Sequence, residues 1–287
     1  MIAQPIPGPD PATWPPRLPL PAGACDAHCH VFGPGDRFPY VAESTFQTPD
    51  APIAALTRMH QVLGIERVVL VQASCHGYDN AAMLDAIAAD PKRRRGVAMV
   101  EDDVTDAALD ALHEGGVRAI RLNFVRHLAQ RPELPDAARL IHRVAERGWH
   151  VELHMDAPDI PELEPWIVAL NSRFVIDHMG RVPAAGGVQQ PAFQSVLRLL
   201  EQPQAWAKIS GGDRLSAGPP FLDAVPFAQA LLQRAPERLV WGTDWPHSNI
   251  RTPMPNDGTL ADLLREYADE DAVRRVLVDN PTALYWG

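Results

Sequence analysis

Short, continuously apolar runs alternate along this chain with longer stretches in which apolar residues recur every three or four positions. The short runs fall at 24–28, 67–72, 96–100, 117–123, 150–154, 173–177, 205–209 and 238–242. Most are apolar on both faces, as buried parallel strands must be. The longer stretches, at 52–63, 80–89, 106–113, 136–147, 160–170, 190–201, 221–234 and 260–278, have the period of amphipathic helices. Glycine marks several of their exits, at Gly64, Gly115 and Gly148. Eight strands alternating with eight helices predict an α/β fold, a (β/α)8 TIM barrel, as one domain over 23–287. A doubly wound open sheet shares the alternation, but it does not gather the ends of the first, fifth, sixth and eighth strands around one point. Residues 1–22 stand apart, with eight prolines among the first 21. They read as a proline-rich arm, extended along the barrel or a neighbouring subunit, or as disordered chain.

A length of 287 residues suits one such barrel. The formal net charge of −10 speaks against nucleic acid and anionic membrane surfaces as partners. Lys92-Arg93-Arg94-Arg95 is a local exception, read as a solvated turn after Asp90-Pro91. No apolar run is long enough to span a bilayer, and the N-terminus lacks the basic start and apolar core of a secretion signal. Cys25, Cys29 and Cys75 are too few and too odd in number for a disulfide framework; they fit a cytoplasmic protein, monomeric or homo-oligomeric. The simplest nucleotide and serine-hydrolase motifs are missing.

Candidate chemistry concentrates at predicted strand ends. His28 and His30 close the first strand and, two residues apart in extended chain, face one side; Cys29 faces the other as a packed thiol. His154 closes the fifth strand, His178 follows the sixth and Asp244 follows the eighth. In a barrel these ends share one face, where four imidazoles and a carboxylate can bind a metal, activate water, or do both. Asp244 is the candidate base for an attacking water, with His178, His28 and His30 as catalytic partners. His28, His30, His154 and Asp244 are candidate ligands for one divalent ion, zinc before manganese, in a site that also reads as metal-independent. His154 is the most diagnostic of these, its other readings being a substrate hydrogen bond or a structural role. Asp177 is expected to point away from His178. Arg121, Arg126, Arg181 and Arg214 lie at or after strand ends, where guanidinium forks would clamp an anionic substrate. Ser74, His76 and His247 are further candidate substrate contacts, with Gln72, Asn123 and Ser210 as secondary polar groups.

Several of these residues lie in an ordered set of segments: Asp26-Ala27-His28-Cys29-His30-Val31-Phe32-Gly33-Pro34, Val71-Gln72-Ala73-Ser74-Cys75-His76-Gly77, Ile120-Arg121-Leu122-Asn123-Phe124, Ile176-Asp177-His178-Met179-Gly180-Arg181 and Trp241-Gly242-Thr243-Asp244-Trp245-Pro246-His247. From about residue 25 to 286 the chain resembles the amidohydrolase superfamily, in the branch of the 2-pyrone-4,6-dicarboxylate lactonases. That resemblance implies hydrolysis of a lactone ester in a carboxylated ring. It makes Asp244 the water-activating base and His28, His30 and His178 the groups that polarise the carbonyl or move protons. Arg121, Arg181 and Arg214 would hold substrate carboxylates. Two departures bear on substrate and metal. The branch has a tyrosine where this chain has His154 and resembles metal-independent hydrolases; related branches with histidine there, decarboxylase-like and sulfomuconolactone hydrolase-like, use a divalent metal. The branch also has a Lys-Arg pair where this chain has Arg126-His127, which alters one carboxylate clamp. The expected substrate is a small anionic lactone, with sulfomuconolactone or a sugar-acid lactone as the alternatives. A metal-dependent decarboxylase and a non-catalytic anion binder remain as rival readings.

Overall fold

Eight strands form one parallel sheet in strict chain order in the computed structural model, which describes residues 4–42, 44–128, 131–248, 250 and 254–287. The strands are β1 (Cys25–Cys29), β2 (Arg67–Val71), β3 (Arg94–Ala98), β4 (Val117–Asn123), β5 (His150–His154), β6 (Phe174–Ile176), β7 (Ala205–Lys208) and β8 (Leu239–Val240). The ends of the sheet meet. Ala27 N donates to the Trp241 carbonyl, Asp244 N to that of His28 and His30 N to that of Trp245, each at 2.8 Å. Those bonds lace β8 and its exit to β1, and the sheet closes as the expected (β/α)8 barrel.

Gly242 makes the closure possible. A Cβ there would lie 2.3 Å from the His28 amide nitrogen and 2.7 Å from Asp26 Oδ1. Only a residue without a side chain lets the two backbones approach so closely.

Helices α1 (Ile53–Leu63), α2 (Ala81–Ala88), α3 (Asp106–Glu114), α4 (Leu134–Ala145), α5 (Ile160–Ala169) and α6 (Pro191–Leu199) each follow a strand and pack their apolar faces on the outer wall. A short α7 (Gly212–Leu215) precedes α8 (Val225–Arg234). The helix expected over 260–278 is instead two, α9 (Asp257–Tyr267) and α10 (Glu270–Arg274), followed by a π-helical turn at Arg275–Asp279, and α11 (Asn280–Tyr285) lies beyond it. Ala268 is extended (φ −158°, ψ 161°), and the Asp269 carboxylate accepts from Ala272 N as a new N-cap. A side chain that caps this well competes with helix continuation. After α3 the left-handed residue is Gly116 (φ 94°), one position later than expected, while Gly115 stays helical.

The basic run is turn only in part. Arg94 opens β3, its Nη1 donating to the Ala86 carbonyl at 2.5 Å, and the Arg95 guanidinium stacks 5.0 Å over the Trp286 ring. Of the proline-rich arm, residues 1–3 lie outside the described residues. Its later part is held against the barrel: Trp14 N donates to Asn256 Oδ1, and Arg17 pairs with Asp262 at 2.8 Å. No described helix is long and apolar enough to cross a membrane.

Inside the barrel, Cys25, Ala27, Val69, Val71, Val97, Ala119 and Val175 form a small-residue core with Trp206 and Tyr285. Toward the C-terminal ends of the strands this core gives way to charge: Glu152, Asp177 and Lys208 are fully buried. Ions so deep must be paired, and their pairing defines what lies above them.

Candidate active site

β1 carries a bulge between Asp26 and Cys29. Before it, Cys25 and Ala27 face the interior; after it, His28 and His30 do, and Cys29 turns out with its Sγ 3.8 Å from the Val69 carbonyl. The extra residue re-aims the strand, as bulges beside binding sites do. Asp26, on the outer side, accepts from Thr243 Oγ1 at 2.6 Å and faces His60 Nε2 at 3.0 Å, which ties β1 to the β8 exit and to α1.

After β6 the chain turns sharply through residues of positive φ, at His178 (48°), Met179 (52°), Gly180 (71°) and Arg181 (54°). That turn corrects the expectation for Asp177. Strand alternation would place Asp177 and His178 on opposite sides, but the left-handed conformation brings both inward. Asp177 accepts from Arg121 Nε at 3.0 Å and lies 3.2 Å from Lys208 Nζ; His178 Nε2 lies 3.8 Å from Asp244. Asp244 also has positive φ (63°). Non-glycine residues held in this region mark sites where the surroundings over-determine the backbone.

Asp244 sits at the centre. Three imidazole nitrogens surround its Oδ1: His30 Nε2 at 3.4 Å, His28 Nε2 at 3.6 Å and His178 Nε2 at 3.8 Å. Its Oδ2 accepts from Arg214 Nε. Burial would raise this carboxyl, but Arg214, then His178 and His30, hold it well below the usual carboxylate range. It is ionised at neutral pH.

The surrounding histidines are pushed the other way. Burial lowers His178 to about 3 and takes His28 and His154 well below the ordinary imidazole value, with Lys208 adding to the effect at His28 and Arg121 at His154. Each ring is held from behind. His30 Nδ1 donates to the Val71 carbonyl at 2.8 Å, His178 Nδ1 meets Ser210 Oγ at 3.0 Å, and His154 Nδ1 meets Asn123 Oδ1 at 3.0 Å. Gly211 packs under the His178 ring, where a Cβ would lie 2.9 Å from His178 Cβ.

Above Asp244 opens a cleft of about 480 Å³, counting its mouth. His30, His154, His178 and Asp244 line it with Arg121, Arg181, Arg214, Ser74, His127 and Ser248; Phe46, Ala73 and Leu128 give it an apolar side. Arg121 and Arg181 rest on carboxylates, Asp177 and Asp156, the latter at 3.1 Å. Such a wall suits a small anionic ligand with an apolar ring.

Three candidate contacts lie elsewhere. Arg126 is turned to solvent and pairs with Asp159, its Nε at 3.2 Å, because the chain after β4 carries it toward the start of α5. His76 closes a tight 3-10 turn, and its ring links two loops, accepting from Gly33 N at 3.2 Å and donating to the Pro39 carbonyl at 3.1 Å. His247 has positive φ (61°), which swings it behind Asp244 onto Asp257 at 3.0 Å.

For a metal, His28, His30 and Asp244 each offer a ligand atom within 4.8 Å of the others, and His28 Nε2 is a buried polar atom without a hydrogen-bond partner. The spacing suits a divalent ion, and ligation by His28 requires the tautomer whose Nε2 carries the lone pair. His154 lines the cleft outside that group, its ring centroid 6.1 Å from that of His178. Sequence reasoning missed Lys208 and Glu152. Their signal was a charged residue inside an apolar run, Ala205-Trp206-Ala207-Lys208-Ile209 and His150-Val151-Glu152-Leu153, which in a buried strand demands a partner.

The amidohydrolase family model matches residues 25–286. A 2-pyrone-4,6-dicarboxylate hydrolase of Comamonas testosteroni is 42% identical over 282 residues, covering 94% of this chain and 92% of its own. A 4-sulfomuconolactone hydrolase of Rhizobium radiobacter is 38% identical over 287 residues, covering 98% and 96%. A solved structure from Agrobacterium tumefaciens superposes with a TM-score of 0.83 at 28% identity, covering 95% of this chain and 98% of its own.

Proposed function

The chain belongs to the amidohydrolase family, and from that premise we propose that it hydrolyses the lactone ring of a small carboxylated substrate, 2-pyrone-4,6-dicarboxylate or a close analogue. The observation that carries this reading is an ionised Asp244 beneath three imidazoles, at the floor of a cleft walled by Arg121, Arg181 and Arg214.

Arg121 and Arg181 bind the substrate carboxylates and set the lactone carbonyl over Asp244. Water held by Asp244 Oδ1 attacks that carbon; Asp244 receives a proton as the carbon–oxygen bond forms. Charge gathers on the carbonyl oxygen, where imidazole N–H groups and Arg214 stabilise it. The ring carbon–oxygen bond then breaks, and its oxygen takes the proton that Asp244 received, which restores the carboxylate as the acyclic acid leaves. Because Arg214 keeps Asp244 a weak base, its placement of the water matters as much as its basicity. A divalent metal, zinc before manganese, would be held by His30 and Asp244, and by His28 in the tautomer with a free Nε2 lone pair, and would supply carbonyl polarisation and a more acidic water.

A 4-sulfomuconolactone is the second reading. It is favoured by Arg126 lying outside the cleft while His127 lines it, which leaves one anion clamp built differently. A cytoplasmic setting suits the three buried, unpaired cysteines.

The test is loss of pyrone ultraviolet absorbance on incubation with 2-pyrone-4,6-dicarboxylate, with 4-sulfomuconolactone run in parallel and carbon dioxide release monitored. Ring opening without carbon dioxide supports lactone hydrolysis; carbon dioxide release would replace it with decarboxylation. Asp244→Asn should lower kcat about 10²–10⁴-fold with the fold intact; a fully active variant would remove Asp244 from its assigned role.

A further inference from the structure

Lys208 is fully buried at the end of β7, beneath the cleft. Its Nζ has three neighbours: Glu152 Oε2 at 2.5 Å, His28 Nδ1 at 2.7 Å and Asp177 Oδ1 at 3.2 Å. Beside the carboxylates of Glu152 and Asp177 the side chain is an ammonium, which donates and never accepts. His28 Nδ1 must therefore be the acceptor, and in a neutral imidazole the single hydrogen then sits on Nε2. His28 Nε2 has no partner of its own and points toward Asp244 Oδ1 across 3.6 Å.

His30 is arranged the opposite way. Its Nδ1 faces the Val71 carbonyl, an acceptor, so Nδ1 carries the hydrogen and Nε2 presents a lone pair. The two histidines of one His-x-His segment thus carry opposite tautomers. A metal ligand needs the lone pair, usually with the other nitrogen donating to a carbonyl or carboxylate. His30 meets that condition and His28 does not.

We propose that Lys208 is a positioning residue that fixes His28 as the Nε2–H tautomer, so that His28 enters the cleft as a hydrogen-bond donor and the His28–His30–Asp244 group binds divalent metal weakly. Asp177 Oδ1 already lies 3.5 Å from His28 Nδ1. Without Lys208 it becomes the acceptor for an Nδ1–H, which turns the Nε2 lone pair toward Asp244 and completes a carboxylate–histidine–metal arrangement. The inference goes beyond the lactone reading and does not depend on which substrate is cleaved.

The experiment uses the full chain freed of metal by a chelator. Nitrogen-15 NMR of histidine-labelled protein, with the His28 signals identified by their loss in His28→Gln, should give a protonated Nε2 and an unprotonated Nδ1. Zinc titration by calorimetry then compares the wild type with Lys208→Met/Glu152→Gln, a pair chosen so that Glu152 is not left as an unpaired buried charge. The variant should bind zinc about 10–100-fold more tightly. An Nδ1–H tautomer for His28 in the wild type overturns the proposal. So does equal zinc affinity in a folded variant. If the variant does not fold, the wild-type spectrum decides alone. Lactone turnover does not enter either measurement, so failure of the substrate assignment remains separate from failure of this one.

Discussion

Acidification from pH 7 to 5.5 should destabilise this protein through histidines alone. His28, His150, His154 and His178 are all buried, and burial lowers each of them, His178 to about 3. The unfolded chain regains the ordinary value of about 6.5 and so binds more protons than the native state below that pH. For a group depressed in this way, stability is fully present above about pH 6.5 and is lost as pH falls toward the native value. A ring whose native value lies below this range loses at most roughly 1 kcal/mol between pH 7 and 5.5, and four such groups give at most ~4–5 kcal/mol, a large share of a typical folding free energy. His247 works against this trend. Burial lowers it, but Asp257 raises it above its ordinary value, so its contribution is present in acid and fades as pH rises. The buried carboxylates Asp244 and Asp177 are held well below their usual range and add their own loss only in stronger acid. The measurement is the urea midpoint by circular dichroism at half-unit steps of pH. The midpoint should fall steadily below pH 6.5, and the slope should flatten in His178→Asn. A midpoint that holds constant from pH 7 to 5.5 would refute the neutral, buried state of these rings.

Other expectations follow from particular contacts. Gly242→Ala sets a methyl group against the His28 backbone; it should lower the Tm by several degrees and abolish turnover, because it opens the closure that aligns Asp244 with His28. Arg214→Met removes the cation that keeps Asp244 acidic, so the acid limb of the kcat/KM profile should move to higher pH. Arg181→Met should raise KM more than it lowers kcat, by about 10-fold or more if the guanidinium binds a substrate carboxylate uniformly in ground and transition states. Arg126→Ala, outside the cleft, should leave KM unchanged; a large rise would place that side chain on the substrate.

The barrel was legible because alternating apolar runs and helical periods are local signals, and the meeting of Asp244, His28, His30 and His178 was legible because strand ends in a barrel converge. What escaped was set by backbone geometry that a periodic pattern does not encode. The left-handed turn at His178 brought Asp177 inward, and the positive φ of His247 carried that ring away from the cleft. Arg126 followed a loop whose direction depends on Asp159, a residue 33 positions later. Lys208 and Glu152 went unnoticed for a different reason: each breaks an apolar run by one residue, and a partner 56 positions away is visible only once the barrel exists.

The hydrogen bonds that lace β8 to β1 also fix when the site comes into being. His28 and His30 precede Asp244 by about 200 residues in the chain, and the hydrogen bond from the Asp244 backbone N–H to the His28 carbonyl is among those that join the two segments. The arm adds a clasp of its own, since Trp14 and Arg17 hold Asn256 at the start of α9 and Asp262 within it. A growing chain therefore exposes imidazoles without the carboxylate they surround. The carboxylate joins its imidazoles in a single event, when the two ends of the sheet find each other.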